Sequence, residues 1–556
     1  MKFMKNWRLH LVLGLIFILS AVVMYRLFFL QVVRHDFYAA LARGQQKYFW
    51  DVQGDRGEIF FKNHALPVAT NREYSFLYLS PAEIPEDEKE KIASILSEKL
   101  NLDKDYLMQK LGEDNFYELF KDKFTEEQVK TLEEMNLTGV HFKKENIREY
   151  PYGDLASHLL GFVNEDGEGQ YGAEEYFDDV LRGEEKLWEG VKAPLSYFFP
   201  GLDRGDSKGT DLHLTIDYNI QYFAEKLLKD AQKNLAIEGG TVIVIDPNSG
   251  KLLALADWPS FSPQDYSKVR DFSVFQSDAT QKIFEPGSVF KPITMAAALD
   301  QGKITPETTY QDPGMLEIGG WPIYNYDQRI YPGDITMTQV LEKSINTGAV
   351  FAESQLGHRK FLEYVTRFGI FEKTGVDLQG EIAPRNTEFK KGYEINYATA
   401  SFGQGIEMTP LQLVRAFCAI ANGGKLITPY LVAPAPEISN NNVISPPTAS
   451  KITAMMVSVV EAAYTRAAQI PGYYVAGKTG TAQVSYSSLG INEKGYSEKT
   501  WQSFIGFAPA FNPQFLILVK LNNPQTKTAE YSAAPLFQQL AKYIIDYYQI
   551  PPDYSD

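Results

Sequence analysis

The sequence is poor in the residues that build several common kinds of functional site. One cysteine, Cys418, occurs among its 556 residues, which excludes an internal disulfide bond. The seven histidines are scattered, and none shows the His-x-x-x-His spacing of a metal site. We therefore expect neither a metal nor a cofactor.

An excess of basic residues is also missing. Lysine and arginine total 54 against 70 aspartate and glutamate residues, so the net charge is −16 and the isoelectric point is about 5.1. No basic stripe offsets this acidity, which argues against a nucleic acid as a partner. Apolar residues make up 44% of the chain, enough for the cores of about two to four domains.

A long apolar run lies close to the N-terminus. Residues 11–25 carry no charge, and the run continues past Arg26 to a length that can span a bilayer. Basic residues precede it and the first acidic residue is Asp36, which predicts a cytoplasmic N-terminus. We expect a cytoplasmic tail over 1–8 and a retained transmembrane anchor over 9–33, with a removed signal peptide or a buried core helix as alternatives.

The composition changes along the rest of the chain. Residues 81–136 are rich in Glu and Lys with apolar residues at helical spacing, which predicts amphipathic, solvent-facing helices. A polar, turn-rich segment over 204–209 marks a boundary. We predict a pedestal domain over 34–205, a second domain over 206–550 and a short tail over 551–556.

The second domain combines strands at its two ends with helices between them. Strand-like apolar runs occupy 212–216, 241–245, 252–256, 504–508 and 515–519. Helical patterns occupy 290–300, 337–355, 408–421 and 534–548. This order predicts an α+β domain, in which helices flank an antiparallel sheet.

A serine and a lysine three residues apart form the first candidate for chemistry. Ser288 and Lys291 share one face of a helix, so the lysine amine can reach the serine hydroxyl and, with a lowered pKa, accept its proton. Pro286-Gly287 predicts that the helix begins just before the serine, at the positive end of its dipole. No Gly-x-Ser-x-Gly segment surrounds Ser288, which argues against a Ser-His-Asp hydrolase.

Two later segments complete a possible acyl-transfer site. In Ser344-Ile345-Asn346, the serine can relay a proton to a leaving amine, and Asn346 can orient Lys291 and bind a substrate carbonyl. The alternative for Ser344 is a helix cap.

The second of these segments is Lys478-Thr479-Gly480-Thr481, in a predicted strand over 474–484. Its threonine hydroxyls can bind a substrate carboxylate, while Lys478 supports Ser344 and adds positive potential. Gly480 allows close backbone approach of the substrate. Strict alternation points Lys478 away from the threonines, so we expect a twist or bulge beside Gly480. The backbone N–H groups of Ser288 and Thr481 are the predicted oxyanion donors.

The three motifs, in this order, resemble those of the class B penicillin-binding proteins. Further segments resemble that family's signatures: Asp55-Arg56-Gly57-Glu58-Ile59, Arg148-Glu149-Tyr150-Pro151-Tyr152-Gly153, Gly169-Gln170-Tyr171-Gly172-Ala173-Glu174, Leu214-Thr215-Ile216-Asp217 and Ser401-Phe402-Gly403-Gln404-Gly405. One segment departs from the family pattern, Phe61-Lys62-Asn63-His64.

The resemblance implies a fold and a function. It implies an elongated α/β pedestal, then a transpeptidase domain with a serine β-lactamase-like fold, on the outer face of a bacterial cytoplasmic membrane. It implies D-Ala-D-Ala transpeptidation of peptidoglycan stem peptides and acylation by β-lactam antibiotics. An asparagine at position 346 is similar to the pattern of the family's cell-division (septal) branch. That branch implies two kinds of partner, a membrane glycan polymerase of the shape, elongation, division and sporulation family and divisome proteins.

Other functions stay open at this point. An elongation-type transpeptidase shares the motifs, and a β-lactamase or DD-carboxypeptidase uses the same acylation but passes the acyl group to water. A division scaffold or a β-lactam sensor is the alternative without turnover.

Overall fold

The computed structural model describes residues 7–28, 47–52, 55–62, 65–113, 118–183, 186–191, 208–437 and 442–554. Several features predicted above lie outside these residues: most of the cytoplasmic tail, the anchor after residue 28, Asn63 and His64, and the boundary between 205 and 206. The described chain forms two compact units, residues 1–56 with 182–210 and residues 57–181 with 211–556.

The strands are numbered in chain order. They are β1 Lys47–Val52, β2 Ile59–Phe60, β3 Thr70–Leu79, β4 Glu118–Phe124, β5 Val140–Glu149, β6 Phe162–Val163, β7 Gly169–Gln170, β8 Lys186–Val191, β9 Leu212–His213, β10 Gly239–Ile245, β11 Leu252–Trp258, β12 Thr309–Gln311, β13 Met315–Ile318, β14 Trp321–Tyr324, β15 Asp334–Thr336, β16 Ala476–Ser485, β17 Tyr496–Ala508 and β18 Phe515–Asn522.

The α-helices are numbered in the same way. They are α1 Trp7–Phe28, α2 Lys89–Leu100, α3 Lys104–Leu111, α4 Glu126–Glu134, α5 Ser157–Leu160, α6 Gly172–Tyr176, α7 Asp178–Leu181, α8 Tyr218–Leu235, α9 Asp278–Gln281, α10 Lys291–Asp300, α11 Met337–Glu342, α12 Asn346–Leu356, α13 His358–Arg367, α14 Thr387–Lys390, α15 Glu394–Ala400, α16 Pro410–Ala421, α17 Pro446–Glu461 and α18 Ala533–Tyr548.

The first unit contains α1 and one strand pair. The 22 residues of α1 span about 33 Å at 1.5 Å per residue, enough to cross the hydrocarbon core of a bilayer. Its apolar stretch from Leu11 to Phe28 is exposed throughout, which contradicts the buried core helix considered above. Strands β1 and β8 pair antiparallel, with Lys47 opposite Val191.

A five-stranded antiparallel sheet, in the order β11-β10-β18-β17-β16, organises the second unit. Its central strands are buried on both faces. In β10, Val242 and Val244 pack against α8 and α18, whereas Ile243 and Ile245 contribute to the larger core on the opposite face with residues of α10 and α16. Because side chains alternate along a strand, one apolar run serves two cores. The predicted antiparallel sheet covered by helices is confirmed.

A smaller sheet, in the order β4-β3-β5, lies in the part of the second unit before residue 181. The amphipathic helices predicted for 81–136 are present as α2, α3 and α4, and their apolar faces pack with Leu77 and Leu79 of β3. The three strands themselves were missed. Strand β5 contains five charged residues and is mostly half-exposed, so it lacks a clear apolar alternation.

Two predictions about elements of the second unit were wrong. The strand expected over 212–216 is limited to Leu212–His213, and it pairs parallel with β2. The helix expected over 337–355 is broken after Glu342, because residues 343–345 form a tight corner in which Ser344 has φ +55°. This corner places Ser344 at a bend between α11 and α12.

A buried ion pair fixes α9 to the sheet. Lys520 of β18 donates to Asp278 at 2.8 Å, and both side chains are 3% exposed. Burial alone would raise the pKa of Asp278, but the ammonium groups of Lys520 and then Lys282 bring it down to about 2. Residue 278 begins the segment that leads to Ser288, so the pair helps to hold that segment on the sheet.

We expect Lys520→Met to destabilise the protein by up to about 3–5 kcal/mol, because the buried carboxylate loses its 2.8 Å ion pair and keeps the longer contact to Lys282 at 3.5 Å. The free energy of unfolding in denaturant measures this. Lys499→Met is the matched control, because its pair with Glu238 is exposed and worth under about 1 kcal/mol. Since the pKa of Asp278 is lowered, the pair should stabilise the fold above about pH 4 and lose this effect as pH falls towards 2. Equal losses in the two variants would contradict the prediction.

Candidate active site

The predicted nucleophile lies on a tight turn at the start of a helix. Gly287–Phe290 form one turn of 3-10 helix that continues directly into α10, which confirms the predicted helix start. Gly287 has φ +60°, and a Cβ there would lie 2.9 Å from the Cβ of Ala482 on β16. The turn therefore requires glycine, and its close approach sets Ser288 beside the sheet.

The amine of Lys291 is enclosed by oxygen atoms. Its Nζ lies 3.0 Å from Ser288 Oγ and 3.1 Å from Ser344 Oγ, and it donates to the carbonyl oxygen of Ser344 at 2.6 Å and to Asn346 Oδ1 at 2.8 Å. The side chain is fully buried. Burial, and then the nearby charge of Lys478, lower the pKa of Lys291 well below its ordinary value.

The corner at Ser344 supplies two of these oxygens. A left-handed backbone is costly for a residue other than glycine, at about 1–3 kcal/mol. Ser344 is held in it by hydrogen bonds from its own N–H to Leu341 O and from the Ile345 N–H to Val340 O. The strained backbone directs both the hydroxyl and the carbonyl of Ser344 to Lys291. The carbonyl contact was not foreseen, because a sequence motif reports side chains only.

Lys478 approaches the same hydroxyl from β16. Its Nζ lies 3.1 Å from Ser344 Oγ, 3.1 Å from Thr479 O and 3.4 Å from Thr479 Oγ1. Burial lowers the pKa of Lys478 to about 8, and the charge of Glu530 acts in the opposite direction. Ser344 Oγ thus lies between two lysine amines.

The bulge expected beside Gly480 is absent from its predicted place. The pairing of β16 with β17 runs without interruption from Ala476 to Gln483, and the register shifts only between Gln483 and Ser485. Lys478 reaches Ser344 from the buried face of the strand, so no bulge is needed to form this contact. Thr479 and Thr481 are half-buried. Thr481 Oγ1 accepts a hydrogen bond from the Ala529 N–H at 3.2 Å.

Gly480 allows a close approach between two parts of the protein. A Cβ on Gly480 would lie 2.7 Å from Ser503 Oγ, 2.9 Å from Val289 and 3.0 Å from the carbonyl of Pro286. Its missing side chain thus lets the Ser288 turn pack on β16. Approach of a substrate to the Gly480 backbone stays a prediction, as do the oxyanion roles of the Ser288 and Thr481 N–H groups.

Asn346 is held in a defined orientation. Its Nδ2 donates to the carbonyl of Tyr324 at 2.9 Å, which leaves Oδ1 to accept from Lys291. Tyr324 ends β14, a strand that had not been predicted. The structure therefore brings together Ser288, Lys291, Ser344, Asn346 and Lys478, with Thr479, Gly480 and Thr481 on the adjoining strand.

The chain matches two families of domains. Residues 240–542 match the penicillin binding protein transpeptidase domain, and residues 51–189 match the penicillin-binding protein dimerisation domain. Stage V sporulation protein D of Bacillus subtilis is 32% identical over 90% of this chain and 79% of its own length. The probable peptidoglycan D,D-transpeptidase PbpC of Pseudomonas aeruginosa is 30% identical over 99% of this chain and 96% of its own length.

Solved structures show the same fold. Penicillin binding protein 3 of Mycobacterium tuberculosis, complexed with aztreonam, has a TM-score of 0.68 at 24% identity and covers 90% of this chain and 98% of its own. The predicted fold class is thereby confirmed, with an N-terminal apolar helix followed by dimerisation and transpeptidase domains. On the domain matches, the relatives and the fold together, the chain belongs to the class B penicillin-binding proteins.

Proposed function

We propose that this chain is a serine acyltransferase, a D-Ala-D-Ala transpeptidase that cross-links peptidoglycan stem peptides. The observation that carries the proposal is the buried Lys291 amine 3.0 Å from Ser288 Oγ. A neutral amine has two N–H groups. Lys291 donates one to the Ser344 carbonyl and the other to Asn346 Oδ1, since both oxygens can only accept. The nitrogen lone pair is then left for a hydroxyl hydrogen, so Lys291 suits the role of general base.

Acylation of Ser288 is the first half of the proposed reaction. The Ser288 proton moves to Lys291 while Oγ bonds to the carbonyl carbon of the penultimate D-Ala. When the C–N bond breaks, the proton passes through the Ser344 hydroxyl to the leaving nitrogen, and the terminal D-Ala departs. Ser344 suits this relay because its Oγ lies 3.1 Å from both lysine amines.

Transfer to a second stem peptide completes the cycle. The amine of the acceptor stem attacks the ester carbonyl, its proton returns to the lysine–serine pair, and the bond to Ser288 Oγ breaks. The hydroxyls of Thr479 and Thr481 bind the substrate carboxylate beside β16, while Lys478 supports Ser344 and adds positive potential. The N–H groups of Ser288 and Thr481 stabilise the oxyanion. Loss of one such donor typically raises the barrier by about 2.7–4 kcal/mol.

The relatives favour transfer to an amine over transfer to water. The Pseudomonas relative bears the name of a probable peptidoglycan D,D-transpeptidase, and no sequence feature identifies a deacylating glutamate. β-Lactams, which acylate the same serine, are the proposed inhibitors, and the Mycobacterium structure contains aztreonam.

The cellular role that we propose is septal wall synthesis. Asn346 supports it, and the excess of basic residues before α1 supports an extracytoplasmic catalytic domain. A membrane glycan polymerase of the shape, elongation, division and sporulation family and divisome proteins are the proposed partners. A sporulation role is a second candidate, because the Bacillus relative is a stage V sporulation protein.

We expect the full-length protein in detergent to be labelled covalently by a fluorescent penicillin and Ser288→Ala to lose the label. Ser354→Ala is the control, because the hydroxyl of this exposed serine of α12 donates to the Phe351 carbonyl, away from the site, and the variant should label like the unaltered protein. Denaturing gels measure the label. Full labelling of Ser288→Ala would refute the proposal, and rapid release of the label would instead favour a β-lactamase.

The acylation rate should depend on pH with a bell shape. It should rise as Lys291 loses its proton, because only the neutral amine accepts one, and fall above about pH 8 as Lys478 loses its own. In Lys478→Gln the rising limb should move to higher pH, because the Lys478 charge no longer lowers the pKa of Lys291. Lys451→Gln, on the exposed face of α17, serves as control. An unmoved rising limb in Lys478→Gln would contradict the assignment.

We expect a fluorescent fusion of the full chain to gather at midcell in dividing cells. Distribution along the side wall would show an elongation role, and appearance only during sporulation would show the second candidate. Ser288→Ala should gather at the same place without supporting growth, because its fold and partner surfaces are unchanged. Rescue of growth by Ser288→Ala would show that the protein acts as a scaffold.

A further inference from the structure

The helix that begins with Asn346 has no cap of its own. Ile345, the residue before α12, carries no side-chain acceptor for the free N–H groups of the first turn. Asn325 takes this place from the loop after β14. Its Oδ1 accepts hydrogen bonds from the N–H groups of Asn346 at 3.0 Å and Thr347 at 3.1 Å.

A carboxylate fixes which way the Asn325 amide faces. Nδ2 of Asn325 donates to both oxygens of Asp312, at 3.1 and 3.0 Å, and to the carbonyl of Arg329 at 3.1 Å. All three of these groups can only accept, so the NH₂ group must face them and Oδ1 must face α12. Asn325 is 4% exposed, so these contacts are shielded from solvent.

Asp312 is itself held firmly. It accepts from Thr347 Oγ1 at 2.7 Å, from the Tyr331 N–H at 2.9 Å and from the Gly314 N–H at 3.0 Å. Burial alone would raise the pKa of Asp312, but these donors lower it below its ordinary value, so the acceptor stays ionised at neutral pH. The Thr347 hydroxyl can donate only one hydrogen. It donates to Asp312, at 2.7 Å, in preference to Asn325 Oδ1, at 3.1 Å.

These contacts end at the reacting groups. Consecutive residues hold Asn346 at two points, since Asn325 binds its backbone N–H and the Tyr324 carbonyl binds its Nδ2. Asn346 Oδ1 then holds Lys291 Nζ at 2.8 Å. Ser344, two residues before Asn346, provides the other acceptor for Lys291, so a shift at the start of α12 would disturb both.

We propose that Asn325 is a positioning residue for the transpeptidase reaction. Asn325 holds Asn346, and Asn346 holds the Lys291 amine where it faces Ser288 Oγ. Asp312 orients the Asn325 amide for this contact. Asn325 touches neither the substrate nor the reacting atoms. The inference rests on the proposed function, because it assigns the residue that sets the general base.

The test compares acylation of full-length Asn325→Ala and of the unaltered protein by a fluorescent penicillin. We expect the first-order acylation rate at saturating penicillin to fall about 10- to 100-fold, the size of effect that a misplacement of about 1 Å causes. The dissociation constant of the complex that precedes acylation should change less than threefold, because the carboxylate-binding threonines lie on β16. An acylation rate equal to that of the unaltered protein would overturn the proposal.

Asn422→Ala is the matched control. The side chain of Asn422 also bonds to backbone groups, accepting from the Lys425 N–H at 2.9 Å and donating to the Pro247 carbonyl at 2.9 Å. Unlike Asn325, it lies at the end of α16 and not at the start of α12. It should lose thermal stability without losing acylation rate. A similar fall of the acylation rate in Asn422→Ala would show that general loosening, and not positioning, causes the effect.

A double variant separates action through Asn346 from a structural role. In an Asn346→Ala background, the further change Asn325→Ala should lower the acylation rate by a smaller factor than it does alone, because the amide that it positions is already missing and only its effect through Ser344 remains. Losses that multiply in full would overturn the proposal.

A second variant decides the matter if Asn325→Ala does not fold. Asp312→Asn keeps the side-chain volume but presents an NH₂ group to hydrogen-bond donors. It should lower the acylation rate several-fold and leave the dissociation constant of the complex that precedes acylation unchanged within threefold. A rate equal to that of the unaltered protein would overturn the proposal. Failure of the proposed function itself looks different, because the unaltered protein would then not be labelled at Ser288.

Discussion

The arrangement depends on two lysine side chains buried side by side. An ammonium ion is costly to remove from water, and two such ions near one serine are costlier still. Burial, and then the nearby charge of Lys478, lower the pKa of Lys291 well below its ordinary value, and burial lowers the pKa of Lys478 to about 8. The fold therefore makes both lysines easier to deprotonate than a lysine in water. Oxygens of Ser344 and Asn346 engage the Lys291 amine, and oxygens of Ser344 and Thr479 engage the Lys478 amine.

The sheet brings these groups together from distant parts of the chain. Strand β16 supplies Lys478, and the helical turn that carries Ser288 packs on it where Gly287 and Gly480 leave room. The corner between α11 and α12 then closes the third side. Since each part is anchored by a different core or polar network, the distances among the reacting groups are properties of the whole domain. The buried contact of Lys520 with Asp278 is one such anchor, and the capping of α12 by Asn325 is another.

The parts that sequence reasoning predicted are those with local signals. Ser288 and Lys291 are related by helical spacing, and β10 and β18 are apolar on both faces, so both patterns are visible in the sequence. Strand β5 was missed because its charges hide the alternation. Asn325 was missed for a different reason, because it caps a helix from a loop 21 residues away and no fixed spacing marks such a contact. The role of Gly480 in packing likewise depends on Val289 and Pro286, which only the folded chain brings next to it.

The left-handed backbone at Ser344 sets stability and activity against each other. Glycine at this position would adopt φ +55° without strain, yet it would remove the hydroxyl that lies between the two lysines. The protein thus accepts backbone strain at the bend and keeps a hydroxyl there between the two lysine amines. Selection for an unstrained backbone alone would therefore favour replacement of Ser344 by glycine, at the expense of this hydroxyl.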